Sequence, residues 1–239
     1  MAAVFDIYTN IESLTEENIH VYSVDEKMGV AAREHISAKQ LAKPGVRERI
    51  DPEYIRHGTT GIIASLNVAT GEIISPLVQS TRTELDFLNH IESVVRLNEL
   101  DKHIFVLDNL NTHVSESLVK MVAEYEGLDV MDLGVKGKYG ILKDKKSRRA
   151  FLEKSEHKIR FLYTPKHCSW LNQIECWFSI ITRSLLNRRL STTSIDDLES
   201  KIHKFINFYN AFLKKPFDWS NPQNFLRFDI YFKEIHDSL

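Results

Sequence analysis

The sequence predicts an α/β fold in which a mixed β-sheet is flanked by helices. Two observations support this prediction: strand-like segments come first, two of them joined as a hairpin, and strands then alternate with helical segments. An antiparallel start followed by alternating strands and helices is typical of a mixed sheet with helices packed on its faces. The 239 residues, 43% of them hydrophobic and 27% charged, are ordinary for a globular protein of one large or two small domains.

The first three strands are predicted from segments rich in β-branched residues. Residues 20–28 form the first strand, which continues through 30–33 after a turn at Gly29. Residues 59–68 and 72–78 flank a short Ala-Thr-Gly turn, which is a hairpin signature. The chain is therefore expected to begin with an antiparallel unit.

The later elements are predicted from helical spacing of apolar residues and from short apolar runs. In chain order they are a helix over 83–100, a strand over 103–107, a helix over 115–125, a strand over 159–163, a helix from Ser169 as N-cap to Arg189, and a helix over 195–213. Trp170 and Trp177 are expected in the core or in helix packing, and so are Phe205, Phe208, Tyr209 and Phe212. The order matches the ribonuclease H-like fold, among several α/β possibilities, and a fold alone does not give a function.

Composition argues against several classes of protein. No apolar stretch approaches the length of a membrane span, and the first residues have neither the basic region nor the apolar core of a signal peptide. Cys168 and Cys176 make no disulfide framework, which favours a reducing cytoplasm. Without a CxxC pair they do not indicate a zinc site either.

Three carboxylates stand at places where a metal site can form. Asp25 is expected at the end of the first strand and Asp108 at the end of the fourth, and ligands collect beyond the carboxyl ends of strands in open α/β sheets. Glu175 borders the apolar stripe of the helix after Pro165, so it can point toward the sheet edge. Mg²⁺ prefers such oxygen ligands, and two ions about 3.5–4 Å apart can serve phosphodiester chemistry. Taken singly, each acid is more often a capping or surface residue.

Several neighbouring residues leave alternatives open. Glu26 competes with Asp25 as the first ligand, because adjacent strand residues face opposite ways and alternation alone does not decide between them. Asn109 and His113 are candidates for orienting ligands or DNA, although turn formation and helix capping are the commoner roles of such residues. Asn172 is a further candidate for a supporting role.

Three segments around the acids carry a family resemblance. They are Val-Asp-Glu-Lys at 24–27, Val-Leu-Asp-Asn-Leu-Asn-Thr-His at 106–113, and Tyr-Thr-Pro-Lys-His-Cys-Ser-Trp-Leu-Asn-Gln-Ile-Glu at 163–175. They resemble the three signatures of DDE transposases, most of all the bacterial insertion-sequence enzymes of the mariner superfamily. The resemblance extends from about His20 to Trp219, and the third segment is its most specific part.

The resemblance implies a ribonuclease H-like fold, two Mg²⁺ or Mn²⁺ ions, and cleavage of DNA strands followed by joining of the 3′-hydroxyl to target DNA. By position, Asp25, Asp108 and Glu175 are the metal-binding catalytic triad. The partners implied are transposon ends, target DNA and a second copy of the chain on DNA, in a bacterial cytoplasm. Residues 1–19 are then an N-terminal remnant or linker, 20–219 the catalytic domain, and 220–239 a C-terminal tail.

Two features depart from the family pattern. The 67 positions from Asp108 to Glu175 exceed the usual spacing, which predicts an insertion at about 134–160. Only about twenty residues precede the first strand, where these enzymes carry helix-turn-helix domains, so we expect a catalytic fragment or the product of a truncated, split or decayed element. A ribonuclease H-like nuclease without strand transfer, and a catalytically silent fragment that binds DNA or a partner transposase, are the alternatives.

The predicted insertion concentrates positive charge. It holds ten Lys or Arg against three Asp or Glu, while the whole chain has a net charge of −2. A basic run is more often a solvated surface than a binding site, and a surface helix over 143–153 is the simpler interpretation. Its place between the second and third acids favours contact with DNA phosphates instead. The residues expected to make that contact are Lys143, Lys145, Lys146, Arg148 and Arg149.

Overall fold

The computed structural model describes residues 2–36, 44–45, 53–166 and 168–217. Its strands are β1 (Ile19–His35), β2 (Tyr54–Asn67), β3 (Ile73–Gln79), β4 (Lys102–Leu107), β5 (Gly134–Val135), β6 (Tyr139–Gly140) and β7 (Ile159–Tyr163). Its α-helices are α1 (Ala2–Thr9), α2 (Ile11–Glu16), α3 (Glu84–Val95), α4 (Glu116–Tyr125), α5 (Lys145–Leu152), α6 (Ile174–Ser184) and α7 (Ile195–Phe208). The expected tail at 220–239 lies outside the described residues.

Five strands form one mixed sheet in the order β3-β2-β1-β4-β7. The hairpin β2–β3 continues the antiparallel pairing of β1 with β2, whereas β4 lies parallel to both β1 and β7. The ribonuclease H-like mixed sheet flanked by helices is therefore confirmed. The basic segment between α4 and β7 forms the small hairpin β5–β6 and helix α5.

Strand β1 is longer than predicted. At Gly29, where the sequence suggests a turn, the backbone has φ of +73° and the pairing register with β2 shifts between Lys27 and Val30. The irregularity is a bulge within one strand, and glycine adopts this left-handed conformation without a steric penalty. Asp25 therefore lies inside β1 and not at its end.

The two faces of the sheet are covered by different helices. Helices α3, α4 and α5 pack on the face that presents Tyr22, Val24 and Phe105. Helices α6 and α7 cover the other face over β1, β2 and β3. Thr83 begins α3 with a capping box in which its hydroxyl accepts from the N–H of Asp86, as the predicted helix start requires.

Two short helices precede the sheet at positions for which the sequence predicts no element. Val4 and Tyr8 of α1 are buried against Val106 and Leu162, beside β1 and on the face that α6 and α7 share. The Tyr8 hydroxyl donates to the backbone carbonyl of Leu171, 3.0 Å away. In the described part of the chain no helix is long and apolar enough to cross a membrane.

Two expectations about the last helices are wrong. Ser169 does not begin a helix that reaches Arg189, because Ser169–Leu171 is a single 3-10 turn and α6 starts only at Ile174. The side chain of Asn172 is bonded to β1 and its backbone is extended, which interrupts the helix. Phe208 is 50% exposed, because it lies off the stripe by which α7 packs, and Phe212, in the π-helical turn Tyr209–Leu213 after α7, is 75% exposed.

Candidate metal centre

Asp25 in β1 lies level with Asp108, the residue that directly follows the neighbouring strand β4. The parallel register pairs Ser23 with Val106, so two further residues along each chain bring Asp25 beside Asp108. Because side chains alternate along a strand, Asp25 shares the face of Ser23, while Glu26 shares the face of Val24. This placement follows from the register of two central strands, and buried neighbouring side chains keep that register fixed.

The carboxylate of Asp25 is held by two donors on the α6 side of the sheet. The N–H of Glu26 donates to one oxygen over 2.7 Å, and the side-chain amide of Asn172 donates to the other over 3.1 Å. Burial, together with the negative charges of Asp108 and Glu175, raises the pKa of Asp25 to about 7, against the opposing effects of the Glu26 N–H and of His113. Asp25 is thus a carboxyl group for which a cation would relieve an unfavourable charge.

Asn172 joins the segment before α6 to β1. It is fully buried, donates to the carbonyl of Val24 over 2.9 Å, and accepts from the hydroxyl of Ser23. The same hydroxyl accepts from the N–H of Ile174 over 2.8 Å. These bonds set the first turn of α6, which carries Glu175, beside Asp25, and they give the candidate Asn172 a defined place.

Asp108 begins a loop that folds back on its own carboxylate. One oxygen accepts from the N–H of Leu110 over 2.9 Å and lies 2.7 Å from Nδ1 of His113. Partial burial raises the pKa of Asp108, but these two partners outweigh it and hold the pKa below its usual value. Asp108 is therefore an ionised carboxylate, and its side chain is 40% exposed.

His113 lies fully buried between two carboxylates. Its second ring nitrogen, Nε2, is 3.7 Å from Oε1 of Glu26, whose other oxygen is 3.3 Å from the guanidinium of Arg82. Burial lowers the pKa of His113, but Asp108 and Glu26 outweigh burial and raise it to about 9. The charged groups Asp108, His113, Glu26 and Arg82 form a row in which negative and positive charges alternate. The side chain of Glu26 is only 2% exposed, and it belongs to this row of charges on the α3 side of the sheet.

Glu175 lies in the first turn of α6 and is exposed, not at the border of the buried stripe as its helical position suggests. Its negative charge nevertheless contributes to the raised pKa of Asp25. Among the described residues, no three His, Cys, Asp or Glu side chains are gathered closely enough to hold a metal ion. The three acids supply the oxygen donors that Mg²⁺ or Mn²⁺ requires, and the exposed side chain of Glu175 is free to turn, so the donor set fits such an ion. The triad itself stays a prediction.

Helix α5 braces the loop after Asp108. Lys145 donates to the carbonyl of Asn109 and to the side-chain oxygen of Asn111, each over 2.9 Å. Arg149 donates to the side-chain oxygen of Asn109 over 2.7 Å and lies 4.8 Å from the ring centre of Tyr163. The amide of Asn109 in turn donates to the carbonyl of Thr164. Asn109 is thus a junction between the second acid, α5 and the segment that leads to the third acid.

Arg148 is also engaged within the chain. It donates to the carbonyl of Val114 over 2.8 Å and to that of Leu142 over 3.0 Å. Lys145, Arg148 and Arg149 of the basic run thus have backbone and amide oxygens as partners within the chain. Helix α5 also buries Phe151 and Leu152, so it is not merely a solvated surface helix.

Two residues of this arrangement escape prediction. Ser23 is a small polar residue in an apolar strand, on the same face as Asp25, and this pattern was a usable signal. Arg82 precedes α3 in a polar turn and no local pattern distinguishes it from a solvated residue. Its partner, Glu26, comes from a strand 56 positions earlier.

The family model of the DDE superfamily endonucleases matches residues 20–199, a range that contains all three acids and both faces of the site. The chain belongs to the DDE superfamily endonucleases. This membership confirms the resemblance that the three sequence segments indicate. No curated protein sequence matches the chain.

Solved structures similar to this DDE superfamily endonuclease include two of the Mos1 transposase. A Mos1 mariner paired-end complex with Mn has a TM-score of 0.47 and 12% identity, over 86% of this chain and 53% of that one. A Mos1 paired-end complex with the left transposon end has a TM-score of 0.46 and 14% identity, over 91% of this chain and 57% of that one. The chain thus spans little more than half the length of the structures it matches.

Proposed function

We propose that the chain is the catalytic domain of a cut-and-paste DNA transposase, in which Asp25, Asp108 and Glu175 hold two Mg²⁺ or Mn²⁺ ions. Membership of the DDE superfamily endonucleases supports cleavage of phosphodiester bonds. The observation that carries the proposal is the strand register that brings Asp25 level with Asp108. On the same side of the sheet, Asn172 bonds Asp25 to the segment that leads to Glu175.

The bound ions would activate the attacking oxygen and stabilise the leaving one. The residues of the chain have separate tasks around them. Asn172 and the Glu26 N–H orient Asp25, while His113 and the Leu110 N–H orient Asp108. Held carboxylates lose less freedom when they bind an ion, which favours the geometry needed for reaction. Glu175 has the exposure needed to turn toward the other two acids.

The resemblance supports DNA as the partner, both as transposon ends and as target, with two copies of the chain assembled on it. The test is an assay on a plasmid that carries the inverted repeats flanking the gene, with Mn²⁺ or Mg²⁺. We expect metal-dependent nicks at the repeat ends, joined products in a second labelled DNA, and a complex whose mass corresponds to two chains.

The outcomes separate the proposal from its rivals. Cut ends without any joined product would indicate a ribonuclease H-like nuclease. Binding of DNA without cleavage, with either metal, would indicate a silent transposase fragment. Cleavage by the Asp25→Asn, Asp108→Asn or Glu175→Gln variant at the wild-type rate would contradict the role given to that acid.

A further inference from the structure

An open cleft of about 510 Å³ lies beside the loop after Asp108. One wall is helix α5, and the other is the segment that follows β7. Asn109, Thr164 and Pro165 line it, together with four cations. The four are Lys145, Lys146, Arg149 and Lys166, and the lining residues in the described part of the chain include no carboxylate. The lining of the cleft therefore carries an excess of positive charge, next to a cluster of acids.

Lys145 and Arg149 are engaged within the chain, but they retain part of that charge. Lys145 donates to an amide and a carbonyl oxygen, which are neutral acceptors, so its positive charge remains. Arg149 is partly compensated, because its Nε lies 2.9 Å from a carboxylate oxygen of Glu153. These two side chains hold the wall of the cleft in place and add to its field.

Lys146 and Lys166 are exposed, as Lys145 is, but they differ from Lys145 and Arg149 in their bonding. Within residues 2–36, 44–45, 53–166 and 168–217, neither ammonium group has an ion pair or a hydrogen-bond partner. They come from opposite walls, one from α5 and one from the segment after β7. Two lysine side chains that line one cleft from two sides suit an anion with several oxygens, such as a phosphate.

We propose that this cleft is a subsite for backbone phosphates of DNA, bound by Lys146 and Lys166 while Lys145 and Arg149 support its wall. The inference rests on the proposed function and extends it, since Lys166 lies outside the basic segment from which the sequence predicts DNA contact. Asn109 connects the cleft directly to Asp108, so the phosphates bound there would be neighbours of the bond that is cut.

The test measures DNA affinity as a function of salt. Binding of a short fluorescent duplex of random sequence is followed with the full chain in EDTA, between about 50 and 200 mM salt. Each phosphate contact contributes a slope of about −0.9 to log K against log salt. We expect Lys146→Ala/Lys166→Ala to flatten the slope by about 1.8 and to weaken binding roughly 60-fold at 0.1 M salt.

The matched control is Lys138→Ala/Lys158→Ala, which removes two exposed charges of the basic segment that do not line the cleft. We expect it to keep the wild-type slope, and Lys146→Arg/Lys166→Arg to keep it as well. Equal flattening in the control and in the cleft variant would overturn the subsite in favour of a diffuse field. So would a wild-type slope in the cleft variant, with folding of each variant checked by circular dichroism.

The proposed function and the subsite fail separately. The binding assay contains no metal and requires no cleavage. If Lys146→Ala/Lys166→Ala shows the expected flatter slope but the wild-type chain never cuts DNA, the transposase activity is contradicted and the subsite is not. A wild-type chain that cuts, with a slope that Lys146 and Lys166 do not affect, would contradict the subsite alone.

Discussion

Two histidines are buried against the same helix, α3, and they hold their protons in opposite ways. His90 belongs to α3 and lies between the hydroxyl of Ser65 and the carbonyl of Ser75, at 2.8 and 3.0 Å. Burial lowers its pKa to about 4, although the bond to Ser75 opposes the shift. His113 packs on Phe87 of α3, with ring centres 4.3 Å apart, and its pKa is raised to about 9 between two carboxylates.

The difference lies in the neighbours and not in the depth of burial. A carbonyl can only accept, so Nδ1 of His90 carries the proton and Nε2 accepts from the hydroxyl, which is a complete set of bonds for a neutral ring. Asp108 and Glu26 both favour a charged ring at His113. His90 thus belongs to a neutral structural centre, and His113 to the charged groups around Asp108 and Glu26.

The largest effect is expected from Asp108→Asn, which removes both a proposed metal ligand and the nearest anionic partner of His113. We expect DNA cleavage to fall by roughly two orders of magnitude or more, while the cooperative unfolding transition persists. The control is Asp101→Asn, which breaks another histidine–carboxylate pair, with His20 at 2.8 Å, before β4 begins. A comparable loss of cleavage in both variants would show that Asp108 acts only through stability.

Replacing each histidine by glutamine separates the two regions by function. His113→Gln is expected to lower cleavage roughly 10- to 100-fold and to raise the Mn²⁺ concentration needed for half-maximal activity, because Asp108 loses the group that orients it. His90→Gln is expected to leave that Mn²⁺ concentration unchanged. Equal changes in the two variants would contradict a positioning role for His113.

Stability should depend on pH in adjacent windows with opposite slopes. The raised pKa of His113 contributes stability that is complete below 6.5 and is lost as the pH rises through 9, and the lowered pKa of His90 contributes stability that is complete above 6.5 and is lost as the pH falls through 4. Each contribution is about 3 kcal/mol. Urea unfolding in EDTA, compared with the two glutamine variants, measures them. A flat difference curve for either variant would contradict the corresponding shift.

The smallest effect is expected from metal binding to the folded chain. Mg²⁺ at about ten times its dissociation constant would raise the unfolding free energy by about 1.4 kcal/mol, a few degrees in the melting temperature. Asp108→Asn should abolish the rise, whereas His90→Gln should retain it, with NaCl at matched ionic strength as the reference. A rise of the same size in Asp108→Asn would indicate screening of charge and not a site.

Patterns along the chain predict most of the fold, because strands and helices on a buried sheet have strong periodicity. The starts of α3 and α4 at Thr83 and Ser115 follow from local capping chemistry. Ser169 fails as a helix start, because Asn172 bonds to a strand 147 positions away and imposes an extended backbone. Helix α1 is too short for a periodic pattern, and only its tertiary contacts with β4 and β7 explain it.

The candidate site is predictable in its acids and not in their partners. Asp25 and Asp108 follow apolar strand residues, which local patterns reveal. The pairing of His113 with Glu26 depends on which face of β1 meets α3, and the bonds of Lys145 depend on how α5 docks. Such pairings join distant parts of the chain, so charge counts within one segment do not reveal them.

The bond from Asn172 to Asp25 has a consequence for how the protein is made. A ribosome releases the N-terminal part of a chain first, at about 5–20 residues per second. Asp25 and Asp108 therefore leave the ribosome many seconds before the amide that fastens the first of them and before Glu175. A nascent chain can build most of the sheet while the candidate metal centre is still incomplete. Any DNA-cleaving activity that depends on the three acids thus begins only after Glu175 has left the ribosome.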